Sequence, residues 1–126
     1  MSIRVLFVES DLVLVELLTA WLGERGMEVV GRVDSMEGAL EACEKREPHL
    51  VLLALRVLPF STEELLKQMG ARWPSMQVLV SSFWATGEEV RGAKWRGAQG
   101  GFSRPPSLEG FEEALGACSW ERPERG

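Results

Sequence analysis

The sequence predicts an α/β chain built as a three-layer sandwich, with a five-stranded parallel sheet covered by helices on both faces. Two observations predict it. Short apolar runs recur along the chain, and each is followed by a longer segment with apolar residues at spacings of three and four. The uninterrupted run Leu50–Leu55 is apolar enough to be buried on both faces, as a central strand of a parallel sheet is. Strands alternating with helices of this length imply right-handed crossovers. Five such βα units fit a flavodoxin-like strand order, 2-1-3-4-5, and leave no residues for a sixth.

Each element follows from its own residues. The first strand, Ile3–Val8, leads into a helix over about 12–24, where Leu14, Leu17, Leu18, Trp21 and Leu22 form one stripe and Gly23 and Gly26 mark the stop. A second strand is expected over Met27–Gly31. The second helix, Ser35–Arg46, follows Asp34, which has capping-box spacing to Glu37, and Pro48 closes it. The third strand is Leu50–Leu55. The third helix, Thr62–Arg72, begins with Ser61 and Glu64 at the same spacing and ends before Trp73-Pro74. The fourth strand is Gln77–Ser81, and the fourth helix runs over about 87–96, stopped by Gly97. A weak fifth strand, Gly100–Ser103, precedes a fifth helix over 108–118, with Leu108, Phe111, Leu115 and Cys118 on one face.

Composition narrows the function classes. The chain has 126 residues, which suggests one domain, expected over residues 1–118 with a polar tail over 119–126. Its net charge of -5 gives no electrostatic footprint for nucleic acid. No apolar stretch approaches the roughly 20 residues needed to span a bilayer. The start, Met1-Ser2-Ile3-Arg4, has no signal-peptide layout, so a cytoplasmic location is expected. Cys43 and Cys118 lack metal-ligand spacing and read as reduced thiols in or near the core. His49 has no Ser, Cys or Glu at useful spacing and reads as a rim residue rather than a general base.

In an open parallel sheet, function collects at the carboxyl ends of the strands. Here those ends carry Glu9-Ser10-Asp11, Ala54, Ser81-Ser82 and Arg104-Pro105. Together with the Gly97-Ala98-Gln99-Gly100 turn, this arrangement resembles the receiver domain of bacterial response regulators (CheY-like), over nearly the whole chain from Ile3 to about Cys118. The resemblance implies two-component signal transduction. In that family an Asp accepts a phosphoryl group, an acidic pair helps hold Mg²⁺, and a hydroxyl and a Lys neutralise the phosphoryl oxygens. Carried over by position, the acidic pair becomes Glu9 and Ser10, the acceptor Ala54, the hydroxyl Ser82 and the Lys Arg104. The inward-swinging aromatic falls on Gly101, and Leu55-Arg56-Val57-Leu58-Pro59 replaces a shorter loop. The resemblance also implies a cis Arg104–Pro105 peptide.

These departures have unequal weight. Ser82 substitutes well for Thr. Arg104 keeps a cation, and without a phosphoryl group it is expected to pair with Glu9 or Asp11. Ser10 removes a charge from the metal site, leaving Glu9 and Asp11 as weak candidates for Mg²⁺, so no cofactor is expected. Ala54 cannot accept a phosphoryl group at all. The expectation is a pseudo-receiver that is not an enzyme and works without phosphorylation. It would bind another signalling protein, or itself, through the face of the fourth helix, fifth strand and fifth helix. The residues singled out there are Trp84, Val90, Lys94, Trp95, Gly101 and Phe102, with Trp95 either semi-buried or exposed as an interface anchor. Two alternatives remain: a conventional phosphorelay receiver using another acceptor such as Ser10 or Ser82, and a small flavodoxin-like nucleotide- or flavin-binding protein. The second would want a Gly- or Ser/Thr-rich phosphate loop after the first strand, where the chain has acidic Glu9-Ser10-Asp11.

Overall fold

Residues along a strand alternate between the two faces of its sheet, and this period decides which helix each of them meets. The structure is a computed structural model and describes residues 2–54, 62–82 and 97–119. Its strands are β1 (Arg4–Val8), β2 (Glu28–Val33), β3 (Leu50–Ala54), β4 (Gln77–Ser82) and β5 (Gly100–Ser103). All pair in parallel, in the predicted order β2-β1-β3-β4-β5. The helices among the described residues are α1 (Leu12–Glu24), α2 (Met36–Arg46), α3 (Thr62–Arg72) and α4 (Leu108–Gly116). The helix expected over 87–96, the insertion after Ala54 and the tail beyond Ser119 lie outside the described residues.

The alternation sorts the core into two halves. On one side Val5, Phe7, Leu50, Leu52, Leu79 and Phe102 pack with Leu14, Leu18 and Leu22 of α1 and Phe111, Ala114 and Leu115 of α4. On the other, Leu6, Val8, Val51, Leu53, Val78 and Val80 meet Ala39 and Cys43 of α2 and Leu65, Leu66 and Met69 of α3. Each large apolar side chain fully removed from water contributes roughly 1.5–3 kcal/mol, so both layers are needed to hold the sheet. Phe111 anchors the first half: its ring meets Phe102 edge-on at 5.1 Å and Trp21 at 5.8 Å.

Several expectations need correction. The α1 stripe is narrower than predicted, since Leu17 is 39% exposed, and Leu108 at the start of α4 is 43% exposed. Four-residue spacing at Leu14, Leu18 and Leu22 already covers the sheet, which leaves Leu17 on the helix flank. The α2 cap is Ser35, whose Oγ accepts from Gly38 N at 3.0 Å, and not Asp34. Asp34 turns instead toward Arg32 at 3.8 Å. β2 continues two residues past its predicted end to Val33, because the carbonyl of Val33 accepts from Glu9 N at 2.9 Å just beyond β1.

The cysteines lie in opposite halves of the core. Burial pushes each thiol up to about 11, far from the reactive thiolate range at neutral pH.

His49 is a structural residue at the amino-terminal rim of the sheet. Its Nδ1 accepts from Arg4 N at 2.9 Å, its own N–H donates to Arg4 O at 2.8 Å, and its carbonyl accepts from Gln77 N at 2.9 Å. One residue therefore ties β1, β3 and β4 together where they begin. Partial burial, then the nearby Arg4 charge, hold its pKa below the ordinary 6.5. The folded chain thus binds fewer protons than the unfolded chain, so His49 contributes stability above about pH 6.5 that is lost as pH falls through the depressed value. His49→Gln, which keeps an acceptor for Arg4 N, is expected to flatten that part of the melting-temperature profile. An unchanged acid slope would refute this role.

Candidate functional site

The carboxyl ends of β1, β3, β4 and β5 converge on one buried ion pair. Glu9 follows β1 and is only 3% exposed. Arg104 follows β5 and reaches back across the sheet end. Its Nη1 donates to Glu9 Oε1 at 2.6 Å and its Nη2 to Glu9 Oε2 at 3.0 Å, a two-pronged contact matching guanidinium to carboxylate. Nη1 also reaches Ser81 Oγ at 3.3 Å, on β4. Asp11 Oδ2 lies 3.7 Å from Nη2, but this carboxylate is 47% exposed and adds little.

The backbone aims these groups. Arg104 N donates to Ser82 O at 2.9 Å, which extends the β4–β5 ladder one step and fixes where the guanidinium starts. The Arg104–Pro105 peptide is cis. On the other side, Arg32 Nη1 donates to the Glu9 carbonyl at 3.0 Å, and Asp11 N donates to Glu9 Oε2 at 3.0 Å. Glu9 therefore has both oxygens engaged, Oε1 by Arg104 and Oε2 by Arg104 and the Asp11 amide. Asp11 itself caps α1: its Oδ1 accepts from Val13 N at 3.0 Å and Leu14 N at 3.2 Å. Asp immediately before the first helical residue is a common cap.

Ala54 ends β3 at 2% exposure, in register with Ser81 of β4. The β1–β3 register runs to the Val8–Leu53 pair, the residues that precede Glu9 and Ala54. The acceptor-equivalent position thus sits among the polar groups, holding a methyl. Ser81 Oγ contacts Arg104, and Ser82, the hydroxyl singled out in the sequence, also adjoins it, its carbonyl accepting from Arg104 N. Ser10 is exposed.

These donors do not fit Mg²⁺. The ion needs near-octahedral oxygen ligands at about 2.0–2.1 Å. Both Glu9 oxygens already face a guanidinium, Ala54 offers none, and Asp11 is spent in part on its helix cap. Among the described residues no cluster of three or more His, Cys, Asp or Glu could hold a metal.

Of the predicted interaction face, Trp84, Val90, Lys94 and Trp95 lie outside the described residues. Gly101 is half-buried. Phe102 is a correction: at 5% exposure it points into the core against Phe111 and is not available to a partner. The period of two explains this, since Gly101 and Phe102 must face opposite sides of β5.

A different apolar surface is exposed. Leu12, Val13, Leu17 and Leu108 are 61%, 76%, 39% and 43% exposed, and they are the large apolar side chains most open to solvent among the described residues. Val13 and Leu17, with Asp11, Leu14, Arg104, Pro105 and Pro106, line a cleft of about 170 Å³.

No protein-family model matches the chain, and no curated protein matches it. Solved structures do. The receiver domain of NtrX from Brucella abortus is 23% identical with a TM-score of 0.77, over 90% of this chain and 96% of that one. The signal receiver domain of a DNA-binding response regulator from Colwellia psychrerythraea 34H is 16% identical with a TM-score of 0.77, over 91% and 96%. The receiver domain of the Saccharomyces cerevisiae response regulator Ssk1, solved with the histidine phosphotransfer protein Ypd1, is 16% identical with a TM-score of 0.75, over 89% and 85%. The chain therefore has the fold of response-regulator receiver domains.

Proposed function

We propose that this chain is a pseudo-receiver, a signalling module of the two-component type that acts by binding another protein and not by accepting a phosphoryl group. The observation that carries the reading is the buried Glu9–Arg104 pair beside Ala54. A phosphoryl-accepting site needs a nucleophilic carboxylate and acidic oxygens free for a metal. Here the nucleophile is a methyl and the buried carboxylate is already neutralised. The location is cytoplasmic in this reading; no helix among the described residues is long and apolar enough to cross a membrane.

Binding is supported by what the fold does elsewhere and by what this surface exposes. The Ssk1 receiver domain was solved in a complex with a phosphotransfer protein, so the scaffold supports protein docking. The reading assigns the contact to the segment carrying Trp84, Val90, Lys94, Trp95 and Gly101, because its sequence sets aromatic residues beside basic ones, the residue types that make interface anchors. The exposed apolar residues Leu12, Val13, Leu17 and Leu108 offer a second candidate surface.

Sedimentation and pull-down with the purified chain separate the two surfaces. Trp95→Ala is expected to weaken complex formation at least tenfold if the first surface carries it, and Val13→Glu if the second does. Acetyl phosphate is expected to change neither result. Retention of the same complex by both variants would remove both surfaces from the account.

A further inference from the structure

The geometry points to Arg104 as the resident cation of this site, a guanidinium in the place where a phosphoryl-accepting receiver holds a divalent metal. The inference takes from the receiver reading only the expectation that a cation belongs there. It does not depend on what the chain binds.

The argument starts from Glu9. A carboxylate 3% exposed at a sheet end stays charged only beside a counter-charge. Arg104 supplies it through two short bonds, and the same side chain reaches Ser81 on β4 and Asp11 at the cap of α1. Neutralising the acidic end of β1 and tying it to the neighbouring elements are the two structural services a bound cation gives such a site. Arg104 gives both from within the chain, so neither depends on metal concentration. Planarity matters as well. A fork of N–H donors engages both Glu9 oxygens at once, whereas a lysine ammonium is a point charge. Arginine at this position therefore neutralises the site and also closes it to a metal.

Removing that cation, or replacing its fork of donors by a point charge that cannot engage both Glu9 oxygens at once, is expected to make the site responsive to divalent ions. The test titrates Mn²⁺ into the ¹⁵N-labelled protein and follows amide broadening, with melting temperatures in Mg²⁺ as the second readout. In the wild-type chain, millimolar Mn²⁺ is expected to leave the Glu9, Ser10 and Asp11 amides no more broadened than exposed acidic residues such as Glu41. In Arg104→Lys and Arg104→Gln those three amides are expected to broaden selectively. Mg²⁺ at tenfold excess over its dissociation constant is then expected to raise the melting temperature by roughly 3–6 °C in the variants and not in the wild type. Selective broadening in the wild type would overturn the inference. So would folded variants with no metal response, or an Arg104→Lys chain that stays unfolded in Mg²⁺, since the metal must be able to replace the guanidinium. A phosphate adduct on the wild-type chain would refute the functional reading and leave this role of Arg104 standing, so the two fail separately.

Discussion

Arg104→Met is expected to lower stability by about 3–5 kcal/mol, because it leaves the Glu9 carboxyl group buried without its two-pronged partner. For a chain of this size that corresponds to a melting temperature lower by roughly 10–20 °C. The double variant Glu9→Leu/Arg104→Met is expected to recover to within about 2 kcal/mol of the wild type. It removes both charges together, and the residual cost is the Asp11 amide that Glu9 Oε2 accepts from. Denaturant unfolding of the two variants checks this. Equal destabilisation in both would mean that the penalty is lost packing and not an unpaired carboxyl group.

Ala54→Asp is the second large effect, and its expected result is a failure. Restoring a carboxylate at the end of β3 supplies the nucleophile but leaves Glu9 clamped by Arg104, so incubation with acetyl phosphate and Mg²⁺ is expected to leave the mass unchanged. The new carboxylate, beside Ser81 and Glu9 at a position 2% exposed, also costs about 1–3 kcal/mol. Combining it with Arg104→Lys and Ser10→Asp is expected to open the site. The triple variant then gains a phosphoryl group on Asp while acetate leaves. Phosphorylation of Ala54→Asp alone would show that Arg104 is no obstacle and that the loss rests on Ala54 only.

The parts of the fold legible in the sequence are those fixed by burial on both faces. β3 is an unbroken apolar run and β1 and β4 have apolar centres, Val5–Val8 and Val78–Val80, and a segment apolar on every side announces itself whatever surrounds it. Elements half in water were read less well. Leu17 and Leu108 follow helical spacing yet stand in solvent, because spacing marks a stripe but not its width. Ser35 was passed over as the cap of α2 for Asp34, its neighbour of equal capping chemistry. At the site, strand-end position together with the resemblance to receiver domains singles out Glu9, Ala54 and Arg104. Which of Gly101 and Phe102 faces outward depends on strand phase, and a register error of one residue reverses the answer. Asp11 shows the same limit in another form: one carboxylate both caps α1 and lies 3.7 Å from Arg104.

The central claim is that a receiver fold has given up its phosphoryl chemistry at the strand ends, with Ala54 in place of the nucleophile and Arg104 closing the acidic site. Intact mass of the wild-type chain after prolonged incubation with acetyl phosphate and Mg²⁺ tests it most directly. The account predicts an unchanged mass under conditions that phosphorylate a receiver domain with an Asp at the end of its third strand. A phosphoryl adduct on any residue, Ser10 and Ser82 included, would contradict it.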